Sequence, residues 1–179
     1  MSIVVGIDAQ PKRLGVGIVD AETGKPVDSR TFPLDRKGGG WPWQQVASIF
    51  RGIDTMYERY GQVEAVGIED SAQGAINRNT LRDHHHLQAY LMEHTLRQWP
   101  WLEGDGEMCL RWWSPAKPGP KTPADSNLWR AWGNVPAPYG KPEIAARAQE
   151  LGFVTLNQDE ADAAVIAHAT WRYFCEGAE

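Results

Sequence analysis

IVVGID at residues 3–8 and LGVGIVD at residues 14–20 decide how this chain folds. Each is a short apolar run rich in β-branched residues, each ends in an aspartate, and the loop between them holds Pro11, so the two predict strands paired as a hairpin. AETGKP at 21–26 carries turn chemistry in Gly24 and Pro26, and VDSRTFPL at 27–34 alternates enough to be a third antiparallel strand. Pro33 cannot donate to a ladder and puts that strand at or near an edge. RKGGG at 36–40 then interrupts the chain before a helix whose apolar face is Val46, Ile49, Phe50, Ile53, Met56, Tyr57 and Tyr60. VEAVGIED at 63–70 follows as a buried strand reached through a crossover helix, which predicts that it lies parallel to the first.

Asp8 and Glu69 therefore end neighbouring strands, at the carboxyl edge of the sheet where open α/β sheets bind ligands. Downstream, Leu87, Tyr90 and Leu91 mark a second long helix from Thr80 to Trp99, and EMCLRWW at 107–113 reads as a fifth strand. The predicted order is βββαβαβα. PEIAARAQELGF at 142–153 starts on Pro142 and stops at Gly152, as helices do. The last helix is announced by Asn157 with Glu160 three residues on, a pair in which each side chain can satisfy a free backbone N–H at the other's position. Asp159 and Asp162 fall in its first turns, about 60° apart around the axis, where the helix N-terminus favours negative charge. Ala163, Ile166, Ala167, Thr170, Trp171 and Phe174 continue the packed face beyond them.

Four carboxylates brought to one sheet edge need compensating charge. Hard cations such as Mg²⁺ take oxygen ligands and retain waters, which points to phosphodiester chemistry. Alone, Asp8 or Glu69 would be an ordinary strand-end acid; the helix pair is what favours a site. Asp70 and Glu160 read as solvent and cap residues. His84, His85 and His86 point about 100° apart on a helix and cannot share an ion. His84 and His94 suit the core edge or a dimer surface, His168 a structural role, and Trp99, Trp101 and Trp171 the core.

The 179 residues, 42% hydrophobic with nine Trp, suit one domain spanning 1–179. No apolar run is long enough for a bilayer and no signal-like stretch opens the chain, so the expected location is cytoplasmic. Cys109 and Cys175 are expected as reduced thiols, without zinc-type spacing. A net charge of −5 argues against a general nucleic-acid coat. The acidity is uneven, however: between 111 and 147, Arg111, Lys117, Lys121, Arg130, Lys141 and Arg147 face only Asp125 and Glu143. Residues 115–142 also hold seven of the twelve prolines, which leaves an ordered Pro/Trp-rich loop at 114–141 in which SNLWRAW (126–132) can form a turn or two of helix. Trp112, Trp113, Trp129 and Trp132 interleave there with Arg111, Lys117, Lys121 and Arg130, and aromatic faces beside cations can stack unpaired bases at a DNA branch. Asn77 and Arg78, just past Glu69, are candidate backbone contacts on the same rim.

GID (6–8), GIED (67–70) and DEADAAVIA (159–167), in this order and spacing, resemble the RuvC-like Holliday-junction resolvases of the RNase H-like fold. The resemblance covers most of the chain. It implies an α/β architecture with a mixed five-stranded sheet, three antiparallel strands followed by parallel ones, flanked by helices. It also implies a Mg²⁺-dependent endodeoxyribonuclease of the crossover-junction type, acting in DNA recombination and repair on four-way junctions or on other branched DNA such as forks and flaps. Asp8, Glu69, Asp159 and Asp162 match the family's carboxylates for two Mg²⁺ ions, which Mn²⁺ can replace, and Lys141 in YGKPEIAARA matches its basic residue near the scissile phosphate. A two-fold homodimer is implied as well. Two features depart from the family pattern: Ala9 and Gln10 stand where Pro-Gly usually follows the first aspartate, and Ala72 stands where many members carry an aromatic wedge. The long Pro/Trp-rich loop resembles phage-borne versions. The alternatives are an RNase H-like RNA-processing nuclease and a noncatalytic binder of branched DNA. An actin-like ATPase would need a duplicated domain and a Gly-rich phosphate loop, which this sequence lacks.

Overall fold

The N-terminal runs pair as expected: β1 (Ser2–Gln10) and β2 (Arg13–Asp20) form an antiparallel hairpin, and β3 (Pro26–Pro33) lies antiparallel to β2. In this computed structural model β4 (Gln62–Glu69) then runs parallel to β1 and β5 (Leu110–Trp113) parallel to β4, giving one five-stranded sheet of order β3-β2-β1-β4-β5. The structure describes residues 1–10, 13–33, 51–70 except 53 and 57, 87–97 except 96, 109–120, 127–155 and 157–176, with 175 and 176 described by backbone alone. β3 occupies an edge, where Pro33 leaves no ladder partner wanting.

β1 is central, and every residue from Ile3 to Ala9 is buried. Burial without alternation means that both faces are covered. Ile3, Val5 and Ile7 pack with Val16, Ile18, Val66 and Ile68 against Met56, Leu87 and Leu91, which come from helical residues within 51–60 (α1) and 87–97 (α2). His94 bonds Asp54 at 2.7 Å and ties these two helices together. The opposite face, reached by Val4, Val19 and Ala65, is covered by α3 (Trp129–Trp132), α4 (Lys141–Glu150) and α5 (Gln158–Trp171). α5 continues into a turn of π-helix over Arg172–Glu176.

A row of missing side chains brings α5 down to the sheet. Gly17, Gly6 and Gly67 stand in register across β2, β1 and β4. A Cβ at Gly6 would collide with the backbone of Ala167, one at Gly17 with that of Ala163, and one at Gly67 with the Thr170 hydroxyl. Gly15, opposite Asp8, likewise lies under the Asp159 carbonyl. Because side chains alternate across a strand, Asp8 and Gln10 share the Gly6 face and Glu69 shares the Gly67 face, so all three point to the side where α5 lies.

The β1–β2 hairpin is longer than expected. A loop over residues 9–13 is predicted, whereas β1 runs to Gln10, which pairs with Arg13. Ala9 keeps the N–H and the extended φ that the proline of a Pro-Gly sequence would remove, and Gln10 lacks the turn preference of glycine, so the ladder continues. The helix expected at 142–153 spans Lys141–Glu150, with Gly140 N–H donating to Glu143 Oε2 at 2.8 Å at its start. Gly152, at φ +95°, supplies the stop. The described parts of the two helices expected before Tyr60 and over Thr80–Trp99 are helical. Ala72, Asn77, Arg78, His84, His85, His86, Trp99, Trp101 and Lys121 lie outside the described residues. Cys109 is a half-buried thiol. Among the described residues no helix is long and apolar enough to cross a membrane.

Candidate active site

Asp8 and Glu69 meet at the carboxyl ends of β1 and β4, 1% and 6% exposed respectively. Burial raises the Asp8 pKa well above the usual carboxylate range, and the Glu69 charge, a hydrogen bond with the Glu69 side chain and the Asp162 charge push it the same way. Two buried carboxylates in contact can both stay ionised only if a cation joins them; otherwise they share a proton. Gln10 moderates the pair: its amide donates to Asp8 Oδ1 at 3.0 Å and to Glu69 Oε2 at 3.3 Å. The remaining Glu69 oxygen, Oε1, accepts the indole N–H of Trp129 at 3.0 Å, and the Gln88 amide on α2 donates to the Glu69 carbonyl at 3.0 Å.

α5 supplies the other two carboxylates. The Asn157 side chain caps the helix by accepting the Glu160 N–H at 3.0 Å. Glu160, instead of facing Asp8, accepts from the Asn157 amide and the Thr31 hydroxyl, each at 3.1 Å, and so ties the start of α5 to β3. Asp162 is pushed up to about 6 by burial and by the Glu69 and Asp159 charges, against the opposing pull of the Gln158 amide, 2.6 Å away, and of Arg130. Asp159 pairs with Arg13 at 3.3 Å, nearer to solvent.

Among the described residues no three acidic, His or Cys side chains close on one point as an ion cage. Asp162 is engaged by Gln158 and Asp159 by Arg13, while Asp8 and Glu69 already touch. The donors are all oxygens, and burial has left their negative charge poorly solvated. Such a set fits a hard divalent cation better than a softer one.

The basic and aromatic candidates are placed unevenly. Lys117 is exposed, and Lys141 is exposed at the first residue of α4; among the described residues no hydrogen bond or ion pair links Lys141 to the carboxylates. The Arg111 guanidinium stacks 3.7 Å from the Tyr173 ring centre and 4.9 Å from that of Trp113. Arg130 stacks 4.2 Å from the Trp129 ring centre and donates to the carbonyls of Pro115 and Ala116. Trp129 departs from expectation. Expected on a DNA-facing loop, it is 0% exposed, in the core formed with Val135, Ile144 and Val165, and a ring without exposed surface has no face to offer a base. The three-residue recurrence of Trp129, Trp132 and Val135 is the sequence signal for an inward stripe. Trp113 is also fully buried, donating to Thr170 Oγ1 at 2.9 Å. Trp171 lies half-buried against the core with its indole on the Ala21 carbonyl at 2.9 Å, and His168 beside it is buried. Sequence reasoning also missed Gln10, although a residue two beyond Asp8 on a strand must share its face.

No family model matches this sequence, and no curated protein matches it. Solved structures do. Thermus thermophilus RuvC in complex with a Holliday junction substrate is similar at a TM-score of 0.72 and 15% identity, covering 98% of this chain and 96% of that one. A second Thermus thermophilus RuvC structure matches at a TM-score of 0.67 and 15% identity, over 96% of this chain and 95% of that one. The five-stranded mixed sheet with its flanking helices is the RNase H-like fold as it occurs in RuvC, over nearly the whole chain.

Proposed function

We propose that this protein is a divalent-metal endonuclease that nicks four-way junctions or other branched DNA. The buried contact between Asp8 and Glu69, with the Asp162 charge beside it, carries the assignment: a noncatalytic DNA binder gains nothing from buried carboxylates that repel the phosphate backbone. The likeness to RuvC, whose structure holds a junction, supports branched DNA as the substrate class.

Asp8, Glu69, Asp159 and Asp162 would hold Mg²⁺, as two ions, or Mn²⁺ in its place. When bound, the metal supplies a Lewis acid for the phosphate and lowers the pKa of its water. The chain's own side chains prepare the place. Gln10 holds Asp8 and Glu69 together with one amide, Asp159 and Asp162 sit at a helix N-terminus that favours their charge, and covered sheet faces exclude bulk water from Asp8. Lys141 would offset charge on the phosphate during attack. Lys117, Arg111 and Arg130, with Asn77, Arg78 and Lys121, would contact the DNA backbone, and a homodimer would present two sites for symmetric incision.

A gel comparing labelled junction, flap, duplex and RNA–DNA hybrid with Mg²⁺ or Mn²⁺, plus a chelator lane, tests this. Junction or flap nicking that stops with chelator is expected, as is its loss in Asp8→Asn or Asp162→Asn with junction binding retained. Wild-type cleavage by either variant refutes the carboxylate assignment. Cleavage of the hybrid alone points to RNA processing, and of duplex alone to a different nuclease.

A further inference from the structure

We infer that Trp129 is a positioning residue for Glu69, holding its carboxylate in the orientation that receives the metal. The inference rests on the metal-nuclease assignment and deepens it. An indole N–H is a donor only; it neither ligates a cation nor titrates. Its bond to Glu69 Oε1, 3.0 Å long, therefore occupies one oxygen from the core side. Gln10 meets the other oxygen, Oε2, on the Asp8 side. With one donor on each oxygen, rotation of the carboxylate about its last torsion would break both bonds at once.

Local structure explains how a residue sixty positions away reaches Glu69. β5 ends beside Glu69, with Trp113 as its register partner, and the chain is pinned where it returns: Ser114 bridges Leu128, and its N–H donates to the Asn127 carbonyl at 2.8 Å. α3 starts at that point. Its far end lies on α5, where a Cβ at Gly133 would meet Val165. Trp129 is thus locked between β5 and α5, and Arg130, held by the carbonyls of Pro115 and Ala116, covers the indole with a cation.

The molecule contains its own control. Trp113 is equally buried and donates a bond of 2.9 Å, but to the Thr170 hydroxyl. Mn²⁺ titration by calorimetry of wild type, Trp129→Phe and Trp113→Phe separates positioning from packing, since each variant loses an indole and one hydrogen bond. We expect Trp129→Phe to bind Mn²⁺ roughly 10–100-fold more weakly, the usual consequence of losing a partner of a metal ligand. Trp113→Phe should lower the melting temperature with Mn²⁺ affinity unchanged. Nicking should follow, with the Mn²⁺ concentration for half-maximal rate raised in Trp129→Phe alone. Equal weakening in both variants, or in neither, overturns the inference. Should Trp129→Phe fail to fold, replacement of Trp129 by benzothienylalanine, which exchanges only the N–H for sulfur, gives the same two-way outcome. A wild-type protein that takes up no Mn²⁺ overturns the metal assignment itself, a failure distinct from unchanged affinity in the variants.

Discussion

The two carboxylate pairs are built differently. Asp8 and Glu69 stand on adjacent parallel strands, are almost wholly buried and touch each other. Asp159 and Asp162 stand on one helix, are partly exposed, and each has its own partner, Arg13 and Gln158. Strand ends fixed by a ladder hold a like-charge pair in place whatever it costs, whereas a helix turn lets each acid find a local neighbour. In the proposed metal site the strand pair would therefore be a preformed half, and the helix pair a half that would change partners when a cation arrives.

The largest effect should come from the strand pair. Asp8→Asn is expected to abolish metal-dependent nicking by roughly a thousandfold, the rate equivalent of the several kcal/mol a metal supplies. At a pH above the raised Asp8 pKa the same change should stabilise the metal-free protein by ~1–3 kcal/mol, since an amide can donate to Glu69 where an ionised carboxylate repels it. Urea unfolding with chelator measures this. A destabilised Asp8→Asn would mean that the pair is not under electrostatic strain, and the contrast between the two halves would fail.

Acid–base behaviour should divide the halves next. The folded surroundings push the Asp162 pKa up to about 6 from the ordinary 3.8 of an aspartate in the unfolded chain, so between these values the folded state holds more proton. Its contribution is present in full below pH ~4 and is lost as pH rises through about 6, a fall of about 3 kcal/mol in metal-free stability from this group. Asp8 shifts in the same direction. Asp162→Asn should flatten the profile in that window, and Mn²⁺ should reverse the loss by binding the folded state alone. Stability rising from pH 4 to 7 in the metal-free wild type would contradict both placements.

Gln10→Ala should act more mildly, weakening Mn²⁺ binding roughly tenfold with little change in fold, because it removes one amide donor shared by Asp8 and Glu69. An unchanged affinity would make Gln10 a spectator. Its presence there also shows where sequence reading works and where it stops. Apolar runs ending in Asp8 and Glu69, a crossover between them and a capped helix carrying Asp159 and Asp162 follow from period and turn chemistry, and the strand order obeys. The Gly17–Gly6–Gly67 row, which lets α5 rest on the sheet, was in plain view as residues but not as a row, because register between β1 and β4 is a tertiary fact. Trp129 is hard to place for the opposite reason: composition sets it among prolines and cations and outweighs the three-residue recurrence of Trp129, Trp132 and Val135, while the packing of α3 against α5 turns its ring inward. Arg13 owes its role to the docking of α5 on the sheet, whereas the Gln158–Asp162 bond is a one-turn contact within α5 itself.

Arg13 offers the smallest and most discriminating effect. Its guanidinium is 57% exposed where it meets Asp159, so solvent screens most of the attraction and Arg13→Ala should change stability by less than about 1 kcal/mol. Its consequence for the site has the other sign. An arginine that occupies Asp159 competes with an incoming cation for the same carboxylate, so removing it should leave Mn²⁺ affinity equal or tighten it by about twofold to threefold, with the gain shrinking at high salt as the ion pair itself is screened. A preformed half would have no such competitor: at Asp8 and Glu69 the donors are neutral amide and indole groups, and their loss should weaken metal binding. If Arg13→Ala weakened Mn²⁺ binding as Gln10→Ala is expected to, Asp159 would depend on its partner for position, and the helix half would be as rigidly built as the strand half.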